Sequence, residues 1–374
     1  MIIAAIIVAF LLDQIRPVGS GHVIAMSLRR WIGAVAGHVD AGGRLHAWLA
    51  WMLAVAVPAL AAGLVGWLCT RAAGWLGQLA WAVVVLYFTL GFRQFSHHGT
   101  AIRDALAAGD EAKARTLLAQ WQDEQAGYSD ALPKGLAGRG WTWDSVARRA
   151  IAHAVLFAHR WVFGVLFWLC LLAPLGLAPF GAVLYRCAEF AARYWQRKMG
   201  QSEPVASPTL LTAAQTAWRV IDWLPARVTA LLFAVVGNFE DAVAAWRQYQ
   251  TDRAGGSVDP GNDAILLAAA AGALGIRLDD EAVAPGEAKP EPAAVPADSA
   301  TPQADAATPA YPPDYEPAAA SPDEAASASA ADTPGLSGAE PDVRHFAQVA
   351  GLLWRSVALW LLLLVLLTLA HVLG

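Results

Sequence analysis

Side chains that could do chemistry are few in this sequence and unusually placed. Asp13, His159 and Arg160 stand within or beside apolar stretches. A charge at membrane depth costs about 2.5–3.5 kcal/mol on insertion scales, so such groups pair with one another or line a cavity. At the edge of a stretch they would reach the interface instead, and the pattern leaves both readings open. His97 and His98 are adjacent. On a helix, neighbours point about 100° apart and cannot share a metal ion, which leaves two interfacial histidines. Cys69, Cys170 and Cys187 lie in or beside apolar runs, at spacings that suggest neither a disulfide framework nor a zinc site. The sequence has no Gly-rich phosphate loop, HExxH, GxSxG or paired CxxC. Residue type and spacing therefore point to no metal site and no cofactor.

The elements that must position these groups are apolar helices. Residues 47–69, 75–92, 161–177 and 351–373 are nearly free of charge. A helix needs roughly 20 apolar residues to cross the hydrocarbon core. Inside lipid only a helix or a closed barrel satisfies its own backbone, and these runs lack the period-two alternation of a barrel strand. With 57% hydrophobic and 15% charged residues over 374 positions, the fold class expected is all-α, a polytopic helical integral membrane protein whose partner is the lipid bilayer. Trp48, Trp51, Trp67, Trp75, Trp354 and Trp360 stand near the ends of apolar runs, where indole rings favour the interface. The net charge of −5 says little, because most acids lie in one segment. No nucleic-acid partner is expected.

Residues 1–12 are apolar with no basic residue ahead of them, and Asp13 closes the run. A secretory signal would have a positive start and a small-residue cleavage site. The run is expected to be a retained, short or tilted membrane segment, or a re-entrant helix. Runs 47–69 and 75–92 flank Arg71, with Arg16, Arg29, Arg30 and Arg44 before them and Arg93, Arg103, Lys113 and Arg115 after. The positive-inside rule makes them a hairpin with cytoplasmic flanks and the Arg71 turn outside. Pro174 and Pro179 break residues 161–190 into a kinked span or a second hairpin. The hairpin puts Arg193 onward in the cytoplasm, and a region 200–278 is expected to pack there against the spans. The single-span reading reverses that side.

Two polar regions complete the chain. In residues 96–125, Ile102, Leu106, Leu117, Leu118 and Trp121 predict two short cytoplasmic amphipathic helices around a Gly109–Asp110 N-cap. Residues 281–342 are mostly Ala, Pro, Asp, Glu, Ser and Thr. They predict a disordered acidic linker, because they cannot bury enough apolar surface to offset ordering entropy. The expected organisation is a membrane domain over 1–280 (spans near 1–12, 47–69, 75–92 and 161–190), the linker, and a C-terminal transmembrane helix over 343–374.

Several segments resemble the CobD/CbiB family of cobalamin-pathway membrane proteins. Asp222-Trp-Leu-Pro-Ala-Arg-Val-Thr-Ala-Leu-Leu-Phe233 resembles its PAR-x-TALL segment, and Ala271-Gly-Ala-Leu-Gly-Ile-Arg-Leu278 its AGALG-x-RL segment. Pro260-Gly-Asn262 corresponds to the preceding Pro-Asn. Leu11-Leu-Asp13 and Gly21-His22-Val23 are a degraded form of its LD…HPV stretch. Arg103, Leu106, Gly109-Asp110, Ala114-Arg115 and Leu118 are similar to its AL-x-x-GD-x-x-x-AR pattern. The resemblance covers most of the chain outside 281–342.

The family is implicated in adenosylcobinamide-phosphate synthesis, an ATP-dependent amide ligation. Such chemistry needs carboxylates for a divalent cation and Arg or Lys for phosphates. The resemblance places those acids in an E-x-x-x-E-N-x-x-D stretch ahead of PLFW. Here Leu166-Phe167-Trp168 survives, but the acidic and amide positions are Ala152, Leu156, Phe157 and Arg160. The family's YRA-x-NTLDS becomes Tyr185-Arg186-Cys187-Ala188-Glu189-Phe190-Ala191-Ala192, its paired Asp becomes Trp218-Arg219, and its Asn becomes Asp222. The same losses are typical of the AmpE-like branch, inner-membrane proteins associated with β-lactamase regulation. Arg160 ahead of Phe163, Ala192-Arg-Tyr-Trp-Gln196 and Asp222-Trp-Leu-Pro225 resemble that branch.

The resemblance thus implies two classes of function. One is a cobalamin-pathway synthase using Mg2+ and ATP, with Arg227, Arg277 and His22 binding phosphate or corrin and Asp13 or Asp110 helping with metal. The other is a non-catalytic scaffold or sensor of the bacterial inner membrane, in which the same residues are structural, Arg227 pairs locally and Pro225 starts a helix. The loss of acids favours the second. Asp13, His22, Arg103, Asp110, Arg115, Arg227, Asn262 and Arg277 are the candidate ligand-binding residues, with a corrinoid precursor or another membrane protein as partner.

Overall fold

The computed structural model describes residues 2–15, 23–90, 92–125, 143–199, 206–254, 261–278 and 338–373. Among them the regular structure is helical: α1 (Ile2–Ile15), α2 (Val23–Val39), α3 (Arg44–Thr89), α4 (Phe92–Ala107), α5 (Glu111–Gln125) and α6 (Trp143–Ala158). A π-helical turn (His159–Phe163) joins α6 to α7 (Gly164–Leu172). Then follow α8 (Ala178–Met199), α9 (Pro208–Val236), α10 (Phe239–Ala254), α11 (Asn262–Leu274) and α12 (Val343–Leu373). Three stretches, Arg44–Thr89, Ser145–Leu175 and Val343–Ala370, are long and apolar enough to cross a bilayer. This is an all-α membrane protein. The 14 residues of α1 rise about 21 Å, short of the roughly 30 Å hydrocarbon core.

α3 is two helices folded at Ala73 and Gly74, where Gly74 takes φ 59° and no side chain is needed. Across the fold, Trp81 Nε1 donates to the Ala62 carbonyl at 2.8 Å, so the expected turn beside Arg71 is present. The second break also folds back. α7 ends in a 3-10 turn containing Pro174, Gly176 takes φ 72°, and α8 begins at Ala178. Gly181 lies so close to α7 that a Cβ there would stand 2.5 Å from the Trp168 carbonyl oxygen. Of the two readings of 161–190, the hairpin is the one formed. Between α4 and α5, Gly109 takes φ 77° and Asp110 Oδ1 accepts from Lys113 N at 3.0 Å, the N-cap expected from sequence.

Two apolar cores share α8 and α9. One collects α1, the second arm of α3, α4 to α7, α11 and the start of α12. The other lies between α2, the first arm of α3 and the C-terminal half of α8. α9 packs one face into both cores, while Val220, Trp223, Leu224, Leu231 and Val235 on its other face are exposed. Ser207 caps it by accepting from Leu210 N, and Pro208 opens its first turn. Pro225 does not start a helix; it lies in the interior of α9. A proline there has no N–H for the carbonyl four residues earlier. That carbonyl, of Ile221, accepts instead from Trp168 Nε1 at 3.2 Å.

Beyond α11, Gly275 takes φ 66° and turns the chain so that Ile276 pairs in parallel with Ala339. Arg277 N donates to Ala339 O at 3.0 Å and Ala339 N to Gly275 O at 2.9 Å. Thus residues 338–342, the end of the expected linker, are placed, while 281–337 lie outside the described residues. The linker leaves and returns at one bridge. Loop closure costs about 0.6 kcal/mol per doubling of length, so cutting about sixty linking residues to about eight should stabilise the fold by about 2 kcal/mol. Replacing 281–336 with a short Gly-Ser linker should therefore raise the apparent melting temperature in detergent. A lower value would mean that the deleted residues make stabilising contacts of their own.

Candidate functional site

The π-helical turn is where the interior becomes polar. Gly164 N donates to the His159 carbonyl, five residues back, and the extra residue in the turn is a feature found frequently at functional sites. It aims His159 inward, fully buried, where Nε2 lies 2.8 Å from Asp222 Oδ1 of α9 and Nδ1 lies 3.0 Å from Thr229 Oγ1. Tyr185 of α8 donates to the same Asp222 oxygen at 2.8 Å. One tautomer satisfies all of this: Nε2–H and the tyrosine hydroxyl donate to the carboxylate, and the threonine hydroxyl donates to Nδ1. Thr229, His159 and Asp222 follow the order of a nucleophile, a base and its orienting acid. Thr229 is only 1% exposed, so no substrate reaches its oxygen, and the set acts as a polar core.

The ring of Tyr185 lies on bare backbone. A Cβ at Gly164 would stand 2.1 Å from both its Cζ and its hydroxyl oxygen. Trp218 closes another side at a ring separation of 5.1 Å.

A second, ionic layer adjoins the first. Arg160, next to His159, pairs with Asp263 at the start of α11 at 2.5 Å. Glu189, 1% exposed in its side chain, holds Arg186 at 2.9 Å and also Arg193. The Arg186 guanidinium lies 3.6 Å from the centroid of the Trp161 ring, in cation–π contact. Arg227 Nη1 donates to the Trp223 carbonyl at 2.9 Å and to Asn262 Oδ1 at 3.3 Å. Asn262 Nδ2 in turn reaches the Arg219 carbonyl at 3.0 Å. The start of α11 is thus tied to both α9 and the π-turn.

Of the candidates read from sequence, the structure brings Arg227 and Asn262 together and distributes the rest. Asp13 is buried on α1. Arg103 pairs with Asp104 at 2.7 Å on an open face, and Arg115 with Glu111 at 2.5 Å. Asp110 is the helix cap already described, and Arg277 is exposed beside the parallel bridge. His22 and Pro260 lie outside the described residues. Sequence reasoning singled out His159 and Arg160 for their apolar surroundings but gave them no partners. Tyr185, Glu189, Thr229 and Asp263 were not candidates. The one signal available for Glu189 was its spacing, three residues after Arg186 and four before Arg193.

A divalent cation with a nucleotide does not fit these residues. At the positions where the resemblance expects acids and an amide, Ala152, Leu156 and Phe157 are buried in the apolar core, and Arg160 is a cation. The acids that are present are already engaged: Asp222 by His159 and Tyr185, Glu189 by two arginines, Asp263 by Arg160. Among the described residues, no group of three His, Cys, Asp or Glu side chains is disposed to hold a metal ion.

Fold and site together define a helical membrane protein with a buried, hydrogen-bonded polar centre. It aligns with the cobalamin biosynthesis protein CobD of Stutzerimonas stutzeri (strain A1501), at 29% identity over 259 residues, 68% of this chain and 74% of that protein. It also aligns with the cobalamin biosynthesis protein CobD of Chromobacterium violaceum, at 32% identity over 216 residues, 56% of this chain and 59% of that protein. No family model and no solved structure matches. These two likenesses support a diverged relationship to the CobD/CbiB family.

Two substitutions test the polar core. Gly164→Ala forces Tyr185 off Asp222 and should cost at least the 1–3 kcal/mol of ordinary overpacking. Gly37→Ala, where a Cβ would meet nothing within 4 Å, should be neutral or stabilising. Equal melting temperatures for the two would remove the tight seat assigned to Tyr185. His159→Ala removes an imidazole N–H that donates to a buried carboxylate, which should cost about 1.5–3 kcal/mol. Chemical unfolding in detergent measures that loss, and a loss under about 1 kcal/mol would show that Asp222 does not depend on the imidazole.

Proposed function

We propose that this chain is a multi-pass protein of the bacterial inner membrane, related to adenosylcobinamide-phosphate synthase, that has given up the ligation chemistry. It serves as a non-catalytic binding or scaffold protein linked to corrinoid metabolism. The observation that carries the reading is the replacement of metal-holding positions by Ala152, Leu156, Phe157 and Arg160, three of them inside the apolar core. No electrostatic adjustment lets alanine or leucine hold a cation, and an arginine repels one. The relatives' names support the cobalamin link. Multi-pass insertion is supported by the apolar helices and the two hairpins. With Arg193, Arg197 and Lys198 at the end of α8, the positive-inside rule puts that end in the cytoplasm.

A regulatory reading, a membrane sensor like the AmpE branch, has one observation in its favour. Arg160 and Asp222, which carry that likeness, pair with Asp263 at a partly exposed position and with His159 in the interior.

Complementation tests the main reading. A strain lacking cobinamide-phosphate synthase and supplied with cobyric acid should not grow when this protein is expressed, although immunoblotting finds it in the membrane. Growth at that expression level would overturn the non-catalytic assignment and make this a synthase with a rebuilt site.

A further inference from the structure

One face of α9 is apolar and stays uncovered. Val220, Trp223, Leu224, Leu231 and Val235 fall on one side of the helix and are all exposed, Val220 to 71%. Between Val220 and Val235 the sequence holds two charges, Asp222 and Arg227. Asp222 is turned into the polar core. The Arg227 guanidinium lies 4.1 Å from the centroid of the Trp223 ring and bonds to the Trp223 carbonyl and Asn262. Beyond the stripe the exposed side turns polar, with Thr212, Thr216 and Arg219 before it and Glu240 and Asp241 after it.

A contiguous apolar face of this kind marks an interaction surface. α9 packs on α3, α7 and α12, parts of the three bilayer-crossing stretches, so the lipid around those stretches borders its outer face. Both ends of α9 are tied to one side. α3 folds back at Ala73 and Gly74, which leaves Arg44 and Thr89 on the open side of that hairpin. Ser207, the cap of α9, donates from N and Oγ to Asp40, four residues before Arg44, at 2.7 and 2.9 Å. At the other end Asn238 N donates to the Ala273 carbonyl at 3.2 Å, and the chain from Ala273 bridges to Ala339, just ahead of α12. There Phe346 and Ala350 share a small cavity with Thr100 and Arg103 of α4, the helix that follows Thr89. The apolar stripe is also short. Its fifteen steps rise about 22 Å, against a hydrocarbon core of roughly 30 Å.

We propose that α9 is a half-immersed helix: it lies in the leaflet on the open side of the α3 hairpin, with its Val220–Val235 face against lipid acyl chains, and does not cross. Such helices sink their apolar side about 5–10 Å into the boundary between headgroups and acyl chains. Trp223 and Arg227 suit that boundary, an indole at the interface and a long cation whose head reaches back to polar partners. Because α9 adds no crossing, Arg197 and Lys198 at the end of α8 and Arg344 at the start of α12 stay on one side, as the positive-inside rule requires. The assignment holds whether or not the chain retains a reaction.

The test uses the full chain in phosphatidylcholine nanodiscs, with the half-buried Cys69 and Cys170 replaced by alanine and the buried Cys187 kept. Single nitroxide labels are attached through Val220→Cys, Leu231→Cys and Val235→Cys, and through Ala244→Cys on the exposed side of α10. Power-saturation EPR should find the α9 labels more open to oxygen than to an aqueous nickel chelate, and the α10 label the reverse. Nickel access equal to that of the α10 label would put the face in water. Shielding from both reagents would put a second copy or another protein on it, and either result overturns the proposal. Sidedness is read with a membrane-impermeant maleimide, which should modify Thr212→Cys and Glu240→Cys from the same side of membrane vesicles. Modification from opposite sides would mean that α9 crosses, and would overturn the half-immersed placement. If the cysteine replacements prevent folding, a photo-crosslinking phenylalanine at position 231 in the natural background should gain the mass of a phospholipid. A protein adduct, or none, would count against the proposal in the same way.

Discussion

The Asp222 carboxylate is buried to 0% exposure among apolar helices, and much of the surrounding architecture follows from keeping it there. An ion in such a place is tolerated only when hydrogen bonds replace its water. Tyr185 and His159 do so for Oδ1 from two different elements, while Oδ2 has no hydrogen-bond partner among the described residues; the two bonds fix α8 and the π-turn against α9. The imidazole can reach only because the backbone inserts an extra residue at His159–Phe163. The phenol can reach only because position 164 has no side chain. Pro225, three residues after Asp222, breaks a backbone bond whose carbonyl is taken by Trp168, tying α7 to the same turn of α9. These irregularities (a π-turn, a buried proline, a glycine pressed by a ring) have a common cause in one buried charge.

The ionic layer outside this core differs in kind. Glu189 and Asp263 are held by guanidinium groups, not by neutral donors. A carboxylate flanked by two arginines has little negative potential left to attract a metal ion. The arginines therefore decide the chemistry of the region more than the surviving acids do.

The membrane class was legible because it depends on composition and run length, which any local window reports. The first hairpin turn was marked by Arg71-Ala-Ala-Gly74 and the α5 cap by Gly109-Asp110, whereas Pro174 and Pro179 left a kinked span and a hairpin both open. The site was not legible to the same degree. His159 and Asp222 are 63 residues apart, and Arg160 and Asp263 are 103 apart. Nothing local indicates that helix packing brings them into contact. Pro225 misled for the opposite reason. A local rule favours proline at helix starts, yet a tertiary contact from Trp168 made the interior position acceptable. Counting acids at family positions could not find Glu189 and Asp263, which pair with Arg186, Arg193 and Arg160.

The segments that carry the family likeness also explain why likeness and activity can part. In the Ala271–Leu278 segment, Gly272 lets α11 approach α10 so closely that a Cβ would stand 2.4 Å from the Asp241 carbonyl oxygen. Gly275 supplies the left-handed turn that ends α11. Both glycines are required by backbone geometry alone. In the Pro-Ala-Arg segment, Ala226 is fully buried in the core and Arg227 ties α9 to α11 through Asn262. These positions hold the helices together with or without a reaction nearby, so a chain that stops catalysing can keep them. The acids of a metal site have no such second duty, and in an apolar bundle an acid without its metal is a liability. Divergence that removes the chemistry should therefore erase the acids first and the glycines last, and this chain retains the glycines.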